Sequence, residues 1–257
     1  MDINYIRKPN FQKTSMKHFY LKSILYAAFF CLLLVSSGCT KSKSDRANDR
    51  GIEQLNENNY TEAIKTFTSI IKKDKDYLPA YYNRAICYSF LNKNRVAIQD
   101  LTIIISKQKF DEDAYLNRAI LYENQKKYKK AIADYSHVIK INQANFTAYH
   151  YRGISKYYIG DYKGAIKDYK RAIKMGLHSS GVYYNNAVAL DCIADYPSAI
   201  TYYNKAIKID KKLNRAYYAR GIAKLKAGDK KGAISDIKNS LKLGFKQASE
   251  VLKQLKN

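Results

Sequence analysis

The sequence predicts an all-α protein: a right-handed α-solenoid of six helical hairpins with a C-terminal capping helix. Three observations predict it. From Ser44 onward the chain repeats every 34 residues without insertion, as 44–77, 78–111, 112–145, 146–179, 180–213 and 214–247. Apolar residues within each copy recur at three- and four-residue spacing, the period of a helix with one buried stripe. The twentieth and twenty-first residues are Ala-Ile in every copy, from Ala63-Ile64 to Ala233-Ile234. A fixed period of this length belongs to stacked supersecondary units, none of which can bury its apolar face alone.

Taken in order, residues 1–38 read as an export leader. Lys17, His18 and Lys22 precede an apolar run from Ser23 to Val35, and the small residues Ser36-Ser37-Gly38 lead to Cys39. The run falls short of the roughly 20 residues of a membrane span. Its basic, apolar, small-residue order is that of an export signal. Residues 1–15 are polar and add nothing to that order, so Met16 is an alternative start. The ending resembles the lipobox of bacterial lipoprotein signal peptides, with Ser37, Gly38 and Cys39 matching its last three positions. Ser36 departs from it, standing where that family carries Leu. The resemblance implies lipidation of Cys39, followed by a short linker to residue 43. Ser36-x-Gly38 also suits ordinary signal peptidase, which leaves secretion without an anchor as an alternative.

The repeats follow. The eighth residue is always small (Gly51, Ala85, Ala119, Gly153, Ala187, Gly221), which lets the two helices of a hairpin approach closely. Bulky residues take the twenty-fourth place (Phe67, Leu101, Tyr135, Tyr169, Tyr203, Ile237) and the twenty-eighth (Ile71, Ile105, Ile139, Ile173, Ile207, Leu241). Position four is Tyr in copies two to six. Gly160-Asp161, Ala194-Asp195, Gly228-Asp229 and Asn58-Asn59 divide the halves, and their Asp or Asn can accept from the first free amides of the second helix. Pro79 and Pro197 lie near helix starts, where a missing amide hydrogen costs little. Copy one, with Arg46 and Ala47, is the weakest, and its first helix is expected to fray. Residues 248–257 carry an apolar stripe of Ala248, Val251, Leu252 and Leu255, suited to the terminal cap a stacked array requires.

Comparison of the copies also predicts an ion pair. Arg84, Arg118, Arg152 and Arg220 at position seven accompany Asp100, Asp134, Asp168 and Asp236 at position twenty-three. Copy five carries Asn186 and Tyr202 and loses both partners together, so the pair is expected between the two helices of one hairpin.

The stretch "YRGISKYYIGDYKGAIKDYKRAI" from Tyr151 to Ile173 resembles the tetratricopeptide repeat, and the likeness extends over all six copies. The family's first-helix Trp is Tyr or Ala here, and its late Pro is missing. The resemblance implies partner binding on the concave face lined by first helices, at repeat positions two, five, six, nine, twelve and thirteen. Those places hold Tyr82, Asn83, Asn117, His150, Tyr151, Tyr157, Tyr158, Tyr184, Asn185 and Tyr218. Tyr offers broad contact with a hydrogen-bonding tip, and Asn can pair with a peptide backbone. Family members that clamp a terminal carboxylate use Lys at position five and Asn at position nine. Here position nine is Ile or Val throughout and no position five is Lys, which speaks against that partner class.

Lys+Arg of 46 against Asp+Glu of 22 gives a net charge of +24. The lysines are scattered, with no dense run and no aromatic-glycine signature, so nucleic acid is not the expected partner. The four histidines have no zinc spacing, and no phosphate loop or nucleophile elbow is present, so no metal, cofactor, small-molecule substrate or catalysis is expected. Asp111-Glu112-Asp113 reads as a helix start favoured by the dipole. Cys87 and Cys192 read as packing thiols in separate hairpins. The whole reads as a lipid-anchored scaffold of the bacterial cell envelope, more in keeping with the outer membrane than the inner. A soluble basic adaptor whose leader is not used is the alternative.

Overall fold

The computed structural model describes residues 42–256; the leader and Cys39 lie outside them. The described residues form helices and no strand. No helix among them is long and apolar enough to cross a membrane. The chain divides into two compact units, Met1–Ala114 and Tyr115–Asn257. The first unit holds two hairpins, α1 (Lys43–Asn56) with α2 (Tyr60–Lys73) and α3 (Leu78–Phe90) with α4 (Asn94–Lys107). It ends within the first turn of α5 (Glu112–Asn124), which pairs in sequence with α6 (Tyr128–Ile141). The second unit continues with α7 (Phe146–Tyr158) and α8 (Tyr162–Lys174), α9 (Ser180–Cys192) and α10 (Tyr196–Ile209), α11 (Asn214–Lys226) and α12 (Lys230–Lys242). It closes with α13 (Ala248–Lys256). Inside each unit helices pack on their successors, and α1 also touches α3, α7 touches α9, and α9 touches α11. This is the hairpin stacking of an α-solenoid.

Local chemistry sets the ends. The expected fraying of α1 does not occur. Ser42 accepts from the Asp45 amide at 3.0 Å while Asp45 accepts from the Ser42 amide, and the Tyr77 hydroxyl donates to Asp45 at 2.7 Å. A reciprocal cap of this kind satisfies two otherwise orphaned amides. Lys43, assigned above to the linker, is therefore the first residue of α1. Within every hairpin the fifteenth residue is left-handed: Asn58 (φ 61°), Asn92 (58°), Lys126 (58°), Gly160 (82°), Ala194 (60°) and Gly228 (88°). Asp161, Asp195 and Asp229 then accept from the amides of Gly164, Ser198 and Gly232. Asn59 makes no such bond; its neighbour Asn58 accepts from the Tyr60 hydroxyl instead.

The core follows the repeat. The twentieth-place alanines are fully buried in all six copies, and the bulky twenty-fourth residues are 0–2% exposed. A Cβ added at Gly153 would lie 2.7 Å from the Tyr169 ring, and one at Gly51 would lie 2.5 Å from the Phe67 ring. Position eight must therefore be small to admit the ring beneath it. One expectation needs correcting. The deeper residue is the twenty-seventh (Ile70, Ile104, Val138, Ala172, Ala206, Ser240), while Ile139, Ile173 and Leu241 at the twenty-eighth are only half-buried. A 3.6-residue period falls between the two places, so the neighbouring hairpin chooses.

The ion pairs form within hairpins, each bidentate. Arg84 grips Asp100 at 2.9 and 2.7 Å, Arg152 grips Asp168 at 2.8 and 2.7 Å, and Arg118–Asp134 and Arg220–Asp236 match them. The free guanidinium nitrogen also donates backward, from Arg84 to Thr68, Arg152 to Ser136 and Arg220 to Asn204. Each of these three arginines thus ties its own two helices to the preceding hairpin. In copy five Asn186 is fully buried, and neither end of its amide has a hydrogen-bond partner.

Candidate functional site

The exposed side of the first helices is organised by contacts between successive hairpins. Position five meets position six of the next copy: Asn83 donates to Asn48 at 3.1 Å, and Asn185 lies 3.5 Å from His150. Position twelve meets position thirteen: the Cys192 thiol donates to the Tyr157 hydroxyl at 3.7 Å, and Lys226 pairs with Asp191 at 3.2 Å. Position thirteen also covers the residue opening the preceding second helix, so Phe90 stacks on Tyr60 at 4.8 Å and Tyr158 on Tyr128 at 4.7 Å.

In the first unit the predicted residues Tyr82 and Asn83 are half-buried on α3. In the second, Asn117 is half-buried on α5, and α7 presents His150, Tyr151, Tyr157 and Tyr158, also half-buried. Tyr157 meets Tyr158 edge-on at 5.8 Å and Tyr162 at 5.3 Å. Tyr184 and Asn185 depart from the expectation. They are 8% and 9% exposed, and Tyr184 packs on Tyr203 at 5.9 Å, so both support the face and present little of it. Tyr218 is half-buried against Phe245 at 4.9 Å, apart from the Tyr157 group. Tyr162 joins the face through Tyr157 in its own repeat, whereas Tyr128, Cys192 and Lys226 join it through neighbours 30 to 35 residues away in sequence, a distance that the pattern within one repeat does not reveal.

Burial keeps three of these side chains neutral. It lowers the His150 imidazole to about 4, which leaves the ring uncharged at neutral pH. Burial pushes the Tyr158 hydroxyl up to about 12 and raises Tyr157 further, so both stay protonated donors. Beneath them Glu123 is buried and accepts from the Tyr135 hydroxyl at 3.2 Å and the Ser155 hydroxyl at 3.3 Å. The Cys192 thiol is also raised by burial, although the residue as a whole is exposed, which corrects its reading as a packing thiol. Cys87 fits that reading, fully buried and pushed up to about 12. The arrangement offers aromatic area and neutral hydrogen-bonding groups, together with the Lys226–Asp191 ion pair. Among the described residues no group of three or more His, Cys, Asp or Glu is placed to hold a metal ion.

Residues 112–145 and 152–214 match family models of the tetratricopeptide repeat. The chain is a tetratricopeptide-repeat protein. Several solved structures share this tetratricopeptide fold. MamA from Desulfovibrio magneticus is 20% identical, with 67% of this chain and 97% of that one covered at a TM-score of 0.64. YrrB, a tetratricopeptide-repeat protein with an unusual peptide-binding site, is 16% identical, covering 73% and 97% at 0.66. A tetratricopeptide repeat protein from Parabacteroides merdae is 20% identical, covering 96% and 98% at 0.57. At such identities the likeness concerns the fold. No curated protein matches the chain in sequence. Tetratricopeptide folds are typical of protein–protein interaction scaffolds and are generally non-catalytic.

Proposed function

We propose that this tetratricopeptide-repeat protein is a lipid-anchored, non-catalytic scaffold of the bacterial cell envelope. Acylated Cys39 holds it to a membrane, the periplasmic side of the outer membrane in preference to the inner. Its first helices bind extended peptides or helices of other envelope proteins. The observation that carries the binding reading is the half-buried Tyr157–Tyr158–Tyr162 group, in which burial keeps the Tyr157 and Tyr158 hydroxyls protonated. A rigid aromatic platform of this kind makes contact at low entropic cost and concentrates affinity in a few anchors. The peptide-binding site of YrrB supports the same use of the fold. The anchor rests on the Ser37-Gly38-Cys39 ending alone. The net charge of +24 favours a second reading, a soluble basic adaptor that uses no anchor.

Crosslinked capture from envelope extracts tests the first reading. Tyr157→Ala combined with Tyr158→Ala should weaken partner capture by roughly 2 kcal/mol, with helical circular dichroism unchanged. Capture that survives this change but fails in modest salt would favour the basic adaptor. Cys39→Ala should abolish labelling by a lipid precursor and release the protein from membranes; a native protein without lipid on Cys39 would refute the anchor.

A further inference from the structure

The second helices of the second unit carry an unusual division of charge. Their carboxylates are Asp134, Asp168 and Asp236, all buried and all gripped by arginines of the first helices. Every Lys and Arg on α6, α8, α10 and α12 is exposed, and all but Arg171 are lysines. The internal ion pairs thus consume the negative charge and leave the outward side of these helices with one sign. At the end of each second helix a lysine is followed by an apolar residue: Lys140-Ile141, Lys174-Met175, Lys208-Ile209 and Lys242-Leu243. Ile209 is 51% exposed. The first unit lacks this arrangement. The same places there hold Lys72-Lys73 and Ser106-Lys107, Lys107 is paired with Asp76, and α2 exposes a Glu62–Lys65 pair.

We propose that the outward side of these four helices docks on an anionic phospholipid bilayer. This contact is separate from any lipid on Cys39 and does not depend on that anchor. Lysine is a compact, strongly hydrated point charge without the fixed fork of arginine, which suits mobile headgroups better than fixed bidentate sites. A lysine beside an aliphatic residue can bury the aliphatic at headgroup depth while its own ammonium stays in water. A nucleic-acid backbone would gain nothing from exposed Ile209 or from the half-buried Ile141, Met175 and Leu243.

The test uses the full-length protein carrying Cys39→Ala, sedimented with vesicles of mixed phosphatidylglycerol and phosphatidylcholine or of phosphatidylcholine alone. Binding to the anionic vesicles should fall with salt. It should weaken by about tenfold or more when Lys140, Lys174, Lys208 and Lys242 are all changed to Gln. The charge-matched change of Lys43, Lys75, Lys93 and Lys109 to Gln, in the first unit, should leave binding near the parent level. Equal loss in both variants would overturn the proposal in favour of net charge alone. Equal binding to the neutral vesicles would overturn it in favour of the apolar leader. Tighter retention on duplex DNA, lost with the same four helix-end lysines, would assign the surface to nucleic acid.

Discussion

Ala194 holds a left-handed backbone at φ 60°, the place occupied by Gly160 and Gly228 in the copies on either side. A side chain with a Cβ meets steric resistance there that glycine escapes. Ala194→Gly should therefore raise stability by about 1 kcal/mol, read from the denaturant midpoint at unchanged slope; a lower midpoint would mean that the turn is not strained. His150 supplies a pH test. Burial lowers its pKa from 6.5 to about 4, so between those values the unfolded chain binds a proton that the folded chain refuses. Its contribution is fully present above pH 6.5 and is lost as pH falls toward 4. His150→Gln should make the unfolding free energy less steep in that window, and identical slopes for the two proteins would contradict the assignment.

At the scale of the element, the bidentate Arg–Asp clamp joins the two helices of a hairpin, and through Thr68, Ser136 and Asn204 it reaches the hairpin before. The α9–α10 hairpin has no clamp. Asn186 stands in the arginine's place with a buried and unpartnered amide, a state that costs about 1–3 kcal/mol. Asn186→Leu keeps much of the volume and removes the orphaned groups, so it should raise the melting temperature, by about 1 kcal/mol in stability terms. A fall would show that the amide is satisfied by bound water. The four hairpins that carry the clamp have its charges paired and offer no such gain at these places.

For the molecule as a whole, a stack of hairpins needs its last apolar face covered. α13 does this with Ala248 fully buried and with Val251, Leu252 and Leu255 half-buried, while Phe245 packs on Tyr218 just before it. Ending the chain at Lys246 should lower the melting temperature and produce concentration-dependent self-association in size-exclusion chromatography. A truncated chain that stays monomeric with its melting point intact would show that α12 needs no cap.

What the sequence by itself determined was whatever repeats. Ala165 and its five counterparts, the small residue at position eight, the Arg–Asp partners and the number of hairpins all appear as recurrences at one period, because the same packing problem is solved six times. Tertiary structure decided what depends on a neighbour. The choice of position twenty-seven over twenty-eight depends on where the next hairpin lies, since a 3.6-residue helix serves either place equally. The stacking of Tyr158 on Tyr128 and the recruitment of Cys192 beside Tyr157 arise between copies, where a pattern read within one copy has no information. The capping of α1 was missed for a related reason: Ser42 stands outside the period that defined the repeat, and its partner Asp45 is held by Tyr77 from the far end of the same copy. A periodic sequence specifies the hairpin, and contact between hairpins specifies the surface.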